Sequence, residues 1–533
     1  MVPYMEALTA PADYNWAYDV VDRWAADPQK LALLHISPQG VEQRITFDAL
    51  RLQSNRFANA LETLGVRRGD RALVVLPRLV AWWETMLGLM KLGVVSMPGT
   101  ALLTTKDLAY RVNVSTARVA ITDAANAHKF DEIRDQCPTL ELLIVVDGEH
   151  AGWQSYPALL SAASPERERL PTPSGDPCLV YFTSGTVGPP KMVLHTHVSC
   201  PLGHATTGKY WLDLKPDDLH WNLSDTGWAK AAWSSLFGPW NMGAALFVHD
   251  GRGKYNPRET LELLARHPIT TFCAAPTIYR LLVLEDLAAY RFAQLRSCTG
   301  AGEPLNPEVI EVWQRATGLT IRDGYGQTET VLVCGNMPGD LVKPGSMGRP
   351  APGLTVAVIG DDAQPLPPMR EGDIAIRIAP ERPLGLFKEY WLSPEATANA
   401  TRGDWYITGD RAYVDEEGYF WFVGRADDVI ISAGYRIGPF EVESALIEHP
   451  SVAEAAVVAK PDPSRGEIVK AYVVLTPGHS PSDQLASELQ DFVKQLTAPY
   501  KYPREIGFVT DLPKTISGKI RRIDLRERAR QEG

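Results

Sequence analysis

Cysteine is sparse in this chain: Cys137, Cys178, Cys200, Cys273, Cys298 and Cys334 lie far apart among 533 residues. There is no C-x-x-C pair and no histidine cluster to complete a zinc site, so a disulfide framework and a structural zinc are excluded and the six read as reduced core residues. Basic charge is short as well. With 53 Lys+Arg against 64 Asp+Glu the net charge is −11, which argues against a nucleic-acid partner and against general attraction to anionic membranes. No window holds the roughly 20 consecutive apolar residues of a membrane span. The start, Met1-Val-Pro-Tyr-Met-Glu6, has no positive segment, no apolar core of signal length and no Arg-rich amphipathic stretch, so a cytoplasmic location is expected. Internal repeats and low-complexity tracts are missing too, and pieces such as Gln364-Pro-Leu-Pro-Pro368 are short enough to be turns.

What is present is an ordinary globular composition, 45% hydrophobic and 22% charged, in a chain too long for one core. Residues 1–65 read as helical. Within 47–64, Phe47, Leu50, Phe57, Leu61 and Leu64 fall on one helical face before Gly65, a C-cap. The pattern then changes to short apolar runs, Arg71–Pro77, Leu142–Val146, Leu179–Phe182, Ala245–Val248 and Thr271–Ala275, separated by helix-length segments. That alternation predicts parallel sheets with helices on both faces, followed by a β-rich section to about residue 424. A boundary is placed near Gly424–Asp428. Beyond it, strands at Ala453–Val458 and Lys470–Leu475 and a helix over 483–497 with the stripe Leu485, Leu489, Phe492, Val493 and Leu496 form a compact α+β unit. The fold expected is a large α/β N-terminal domain over 1–426, doubly wound sheets plus a β-rich subdomain, and a small α+β C-terminal domain over 427–533.

The segment around which the chain is organised is Tyr181-Phe-Thr-Ser-Gly-Thr-Val-Gly-Pro-Pro-Lys-Met192. It follows an apolar strand-like run, and its small residues let backbone N–H groups crowd a phosphate while Lys191 adds a point charge. A Walker loop is ruled out, because Gly188 is followed by Pro189, Pro190, Lys191 and Met192 rather than by Gly-Lys-Ser/Thr at the required spacing. Gly300-Ala-Gly-Glu-Pro-Leu305 is likewise a poor dinucleotide fingerprint, with Leu305 at the third glycine position. Asp323-Gly-Tyr-Gly-Gln-Thr-Glu-Thr330, after a strand expected at Leu319–Arg322, gathers oxygen ligands that suit a hard cation at a strand end.

Taken together these segments resemble, in order and over nearly the whole chain, the signatures of the adenylate-forming enzymes, which include acyl-CoA synthetases, luciferases and peptide-synthetase adenylation domains. Met192 in place of the usual glycine, Ser224-Asp-Thr-Gly-Trp228, Gly434-Tyr-Arg-Ile-Gly-Pro439 and Ala498-Pro-Tyr-Lys-Tyr-Pro-Arg504 look most like the medium-chain acyl-CoA synthetases. The resemblance implies that Thr183, Ser184, Gly185, Thr186, Val187, Gly188, Pro189, Pro190 and Lys191 hold ATP phosphates. It also implies that Gly302 and Glu303 line the adenine pocket, with Asp323, Gly324, Tyr325, Gly326 and Gln327 beside the nucleotide and Tyr325 stacked on adenine. Thr328 would contact phosphate and substrate carboxylate, and Glu329 a magnesium ion. Asp410 and Arg425 would hold the ribose, Arg436 is a phosphate contact, and Lys519 would bridge the carboxylate and the α-phosphate. Ala433, Gly434, Tyr435, Arg465, Lys494, Tyr502, Pro503 and Arg504 match CoA positions, Trp228, Gly326 and Thr328 the acyl pocket, and Asp427 the hinge of a mobile C-terminal domain. Leu102 departs from a polar residue that relatives can carry near CoA.

The reaction so implied is ATP-dependent ligation of a carboxylic acid to CoA through an acyl-adenylate, releasing AMP and pyrophosphate, with magnesium as cofactor. None of the histidines is needed as a base, since the attacking carboxylate is already ionised; His195, His197 and His204, which follow the loop, read as core or surface. An acyl-AMP ligase loading a carrier protein is the alternative, and Arg465, Lys494 and Arg504 favour CoA over it. A non-enzymatic nucleotide sensor would lack Lys519 or Glu329, and both are present. Gly326 stands where acetate-specific relatives have a tryptophan, so acids of about four to eight carbons, including branched or benzoate-like ones, are expected. A homo-oligomer is left open.

Overall fold

The computed structural model describes residues 9–183, 190–253, 255–433, 435–514 and 519–532. Among them, the short apolar runs form two large mixed sheets. In the nine-stranded sheet, Ile321–Tyr325, Ser297–Ala301, Thr271–Ala274, Leu219–Leu223, Ala245–His249 and Leu31–Ile36 lie side by side and parallel, edged by antiparallel strands. In the eight-stranded sheet, Pro177–Thr183, Val95–Gly99, Arg71–Val75, Val119–Thr122 and Leu142–Val145 are parallel, and Lys191–Thr196 returns antiparallel to the first of them. Side chains alternate along each strand and so divide between layers. Leu33, Leu246 and Val248 of one sheet meet Ala72, Val74 and Leu179 of the other, with the helices Phe47–Thr63 and Val80–Leu92, in a core between the sheets. Their neighbours Leu34, Ile36 and Phe247, and Leu73, Val75 and Met97, face separate outer cores.

The helix Phe47–Thr63 follows from its sequence. Thr46 caps it by accepting from the Ala49 amide, Phe47, Leu50, Phe57 and Leu61 are fully buried, and Gly65 ends it at φ +83°. Each such buried side chain contributes about 1.5–3 kcal/mol. The helical reading of everything before it is corrected: Leu31–Ile36 and Glu42–Thr46 are strands of an antiparallel hairpin. The run Leu31-Ala-Leu-Leu-His-Ile36 is short, and periodicity over six residues does not separate a buried strand from a helix turn. The strand expected at Leu319–Arg322 runs instead over Ile321–Tyr325.

A third, antiparallel sheet of Val356–Ile359, Gly372–Arg377, Trp405–Val414, Thr401–Arg402 and Phe420–Arg425 accounts for the β-rich section. After the turn at 426–428 a fourth sheet begins at Ile430, built on the long pair Val452–Asp462 and Gly466–Leu475 and covered by the helices Pro439–Ile447, Asp483–Leu496 and Arg522–Gln531. The stripe on Asp483–Leu496 is only partly core: Leu489 and Val493 are buried, whereas Leu496 is exposed. All six cysteines are free and buried, and burial drives the Cys298 thiol up to about 12. No helix among the described residues is long and apolar enough to cross a membrane.

Candidate active site

The parallel strands of both large sheets end at one crevice, where open α/β sheets bind ligands. From the eight-stranded sheet, Thr183 ends its strand paired with Lys191, which opens the antiparallel return strand. Ser184, Gly185, Thr186, Val187, Gly188 and Pro189 lie outside the described residues. Pro190 accepts a hydrogen bond from the Tyr110 hydroxyl through its carbonyl (3.1 Å), and the Lys191 ammonium sits 4.8 Å from the centre of the Tyr390 ring.

From the nine-stranded sheet, Ser297–Ala301 leads into Gly302 at φ +109°, a conformation that suits glycine, and then Glu303. Glu303 is tied down by Arg280 (2.8 Å) and by the Thr277 amide (3.1 Å). Burial pushes its pKa up, but Arg280 and Thr277 outweigh that and hold it below the usual carboxylate value. On the next strand Asp323 is buried, and desolvation raises its pKa to about 8 in spite of the Gly324 and Leu305 amides. Gly324 lies flush on the Trp211 indole.

Tyr325 and Gln327 converge on Asp410, each giving a hydrogen bond of 2.6 Å to Oδ2, while Arg425 Nε lies 3.3 Å from Oδ1. Asp410 is almost fully buried, and burial raises its pKa against the pull of Arg425. Oδ2 is thereby filled, and the acceptor capacity that the carboxylate keeps for a further donor is on Oδ1. Thr328 and Glu329 occupy a turn, with His195 Nε2 2.8 Å from the Thr328 carbonyl and the Tyr390 hydroxyl giving a 2.8 Å bond to Glu329 Oε1. His195, His197 and His204 are buried, and desolvation pushes the first two down to about 4, so they are neutral core residues.

Lys519 comes from the far end of the chain into this crevice. It is exposed to the open cleft, yet enough protein surrounds its ammonium for desolvation to lower its pKa against the fields of Glu303, Asp410 and Glu329. The small unit is held there partly by the Asn306 amide, which donates to Ser444 Oγ (3.1 Å), and by Phe440 edge-on to Phe422. Asp427 is exposed in the turn before this unit, and its carbonyl accepts from Arg526 (2.7 Å).

The CoA positions gather elsewhere on the small unit. The Ala433 amide bonds the Arg465 carbonyl (2.9 Å), Tyr435 stacks on Tyr500 at 4.3 Å, and Tyr502 lies between Lys494 (4.3 Å) and Arg504 (4.9 Å), beside buried Pro503. Gly434 and the Arg436 side chain fall outside the described residues.

Two residues escaped the sequence reading. Lys230, next to Trp228 on the short helix Ala229–Ala232, gives a 2.7 Å hydrogen bond to the Ala301 carbonyl, and burial lowers its pKa despite nearby Glu303 and Asp323. Tyr390 is the other; one aromatic among Phe387, Tyr390 and Trp391 carries no local signal. The space beside Gly326 also differs from expectation. A Cβ there would come within 2.1 Å of Trp233 Cη2 and 2.6 Å of the Val331 carbonyl, so the Trp233 indole already fills it. Phe237, four residues on, packs on Trp16 (4.7 Å) in the core between the sheets.

Comparison with known proteins agrees with this geometry. The AMP-binding enzyme family model matches residues 21–391, and that of the AMP-binding enzyme C-terminal domain matches residues 441–519. The chain is 49% identical to acyl-coenzyme A synthetase ACSM3, mitochondrial, of Mus musculus over 538 residues, covering 98% of this chain and 91% of that protein. Against ACSM5, mitochondrial, of the same organism it is 48% identical over 526 residues, 97% and 91% of the two chains. Among solved structures it resembles the anthranilate CoA ligase AuaEII in complex with anthranoyl-AMP (TM-score 0.90, 32% identity, 98% and 99% covered). It also resembles a benzoate CoA ligase from Burkholderia xenovorans LB400 (TM-score 0.85, 30% identity, 96% and 100% covered). With motifs, crevice and both matched segments in register along nearly its entire length, the chain belongs to the family of AMP-binding, adenylate-forming enzymes.

Proposed function

We propose that this acyl-CoA synthetase, an acid–thiol ligase, activates medium-chain carboxylic acids in two half-reactions served by two placements of its C-terminal domain, residues 427–533. The observation that carries the reading is the placement of Lys519, from beyond the domain boundary, where its ammonium lies in the fields of Glu303, Asp410 and Glu329. In the first half-reaction the acid's carboxylate oxygen attacks the α-phosphorus of ATP and pyrophosphate leaves. Lys519 and Thr328 neutralise and align the reacting groups, Asp410 and Arg425 hold the ribose, and Gly302 and Glu303 face the adenine. No nucleophilic side chain is required, because alignment and charge neutralisation supply the catalysis. Magnesium, when bound, neutralises charge on the phosphates. One half-buried carboxylate is a fitting donor set for it, since this ion takes one or two protein carboxylates and completes its shell with phosphates and water; Glu329 is that carboxylate. In the second half-reaction the CoA sulfur attacks the acyl carbonyl and AMP leaves, with Arg465, Lys494, Tyr502 and Arg504 as CoA contacts.

Pyrophosphate release and acyl-CoA formation over acetate, butyrate, hexanoate, octanoate and benzoate, with and without CoA, test the reading. We expect pyrophosphate with every accepted acid, thioester only with CoA, and acetate poorest. Adenylate formation with no transfer to free CoA would point instead to carrier-protein loading, and no pyrophosphate with any acid would sink the enzyme reading. A cytoplasmic location belongs to the same proposal, and cell fractionation decides it against the mitochondrial location in the relatives' names.

Asp427 is proposed as the hinge. Proline there fixes φ and should cost most of the overall turnover while one half-reaction survives. Full turnover by Asp427→Pro, measured as acyl-CoA formed per enzyme, would place the hinge elsewhere.

A further inference from the structure

The segment Gly385–Trp391 zips two active-site motifs together. On one side, Lys388 and Trp391 donate their amides to the carbonyls of Leu194 and Met192 (2.8 Å each), and Tyr390 pairs with Val193, next to the strand end that carries Lys191. On the other, the Val331 amide bonds the Gly385 carbonyl (2.9 Å) and the Phe387 amide bonds the Glu329 carbonyl (2.7 Å). The segment therefore joins the phosphate-loop strand of the eight-stranded sheet to the Thr328–Glu329 turn after the nine-stranded sheet. Tyr390 is the side chain that reaches both. It is 8% exposed, its ring packs at 4.8 Å on Phe387, its hydroxyl donates to Glu329 Oε1 at 2.8 Å, and the Lys191 ammonium lies 4.8 Å over its face.

We propose that Tyr390 is a positioning residue for adenylation: its hydroxyl fixes the Glu329 carboxylate so that the second oxygen faces the nucleotide-bound cation, and its ring seats Lys191 at the phosphates. A hydroxyl bonded to an ionised carboxylate restricts that group strongly, and a cation over an aromatic face has a preferred seat. One side chain thus sets the relative position of the two charges, opposite in sign, that must meet the same triphosphate. The proposal rests on the reading of Glu329 as the magnesium carboxylate. It differs from a packing role in that its effect belongs to the half-reaction in which metal and pyrophosphate take part; the displacement of AMP by CoA involves neither.

Tyr390→Phe removes the hydroxyl and keeps the ring over Lys191. A hydrogen bond to a charged group is worth enough to shift an equilibrium about tenfold or more. We expect the magnesium concentration for half-maximal pyrophosphate release to rise about tenfold, and Mn2+–ATP binding to the enzyme without acid, followed by electron paramagnetic resonance, to weaken by a similar factor. Thioester formation from supplied acyl-adenylate and CoA should be unchanged. Tyr390→Leu, which also removes the seat of Lys191, should raise the KM for ATP further at saturating metal. Glu329→Gln is the control for the underlying reading. If it leaves the metal dependence untouched, Glu329 is not the metal carboxylate and the proposal falls with that reading. If it shifts the dependence while Tyr390→Phe matches the wild type in both metal titration and Mn2+–ATP binding, only the role of Tyr390 is overturned. An equal fall of both half-reactions in Tyr390→Phe would overturn it as well.

Discussion

Lys519→Ala is expected to slow adenylation by about a hundred- to a thousandfold while leaving thioester formation from supplied acyl-adenylate near the wild-type rate. The ammonium is a cationic group that the C-terminal part of the chain brings into the crevice, and its field reaches Glu303, Asp410 and Glu329. A charge contact used only as pyrophosphate departs stabilises that transition state alone, so its loss should appear in kcat for the first half-reaction and spare the second. The comparison needs both half-reactions run on one preparation, with pyrophosphate release for the first and AMP release from acyl-adenylate and CoA for the second. Parallel losses would contradict a role confined to adenylation.

The second large effect concerns the acyl pocket. Because a methyl group on Gly326 would press on the Trp233 ring at 2.1 Å and on the Val331 carbonyl at 2.6 Å, Gly326→Ala should destabilise the fold by about 1–3 kcal/mol or more. The carbonyl is backbone and cannot rotate away, so adding Trp233→Leu should restore only part of that stability. Trp233→Leu alone opens the space the indole fills and should move the preference toward longer acids, each added buried methylene gaining about 0.8 kcal/mol, roughly fourfold in kcat/KM. Gly326→Trp must displace the indole before it can shorten the pocket, so it mixes packing with specificity, and the Trp233 variant separates them. Equilibrium denaturation of the three variants and kcat/KM from butyrate to decanoate are the measurements. An unchanged chain-length profile in Trp233→Leu would remove Trp233 from the pocket wall.

These outcomes also show where the sequence was readable. The parallel strands could be seen because a strand buried on both faces is a continuous apolar run, as in Leu142–Val145, and the crevice motifs because a backbone with positive φ leaves few residue choices, as at Gly302. Asp410, Tyr325, Gln327 and Arg425, singled out from separate motifs, lie in contact with one another. The hairpin at Leu31–Thr46 was lost because its strands are too short for periodicity to decide. Lys230, Tyr390 and the position of Trp233 were lost for a different reason. Each is defined by a partner far away in the chain, Ala301, Glu329 and Gly326 respectively, and no local pattern encodes a contact of that kind.

The burial of all six thiols has a practical consequence. A thiol with no access to solvent reacts slowly with maleimides, so the native protein is close to a cysteine-free background. Cysteines introduced at Leu341, 72% exposed before the β-rich section, and at Leu496, 49% exposed on the C-terminal unit, would then take a donor and an acceptor fluorophore nearly alone. Energy transfer between them, recorded as ATP, acid and CoA are added in turn, would test the proposed swing of one unit against the other in an enzyme whose proposed catalytic residues are all intact.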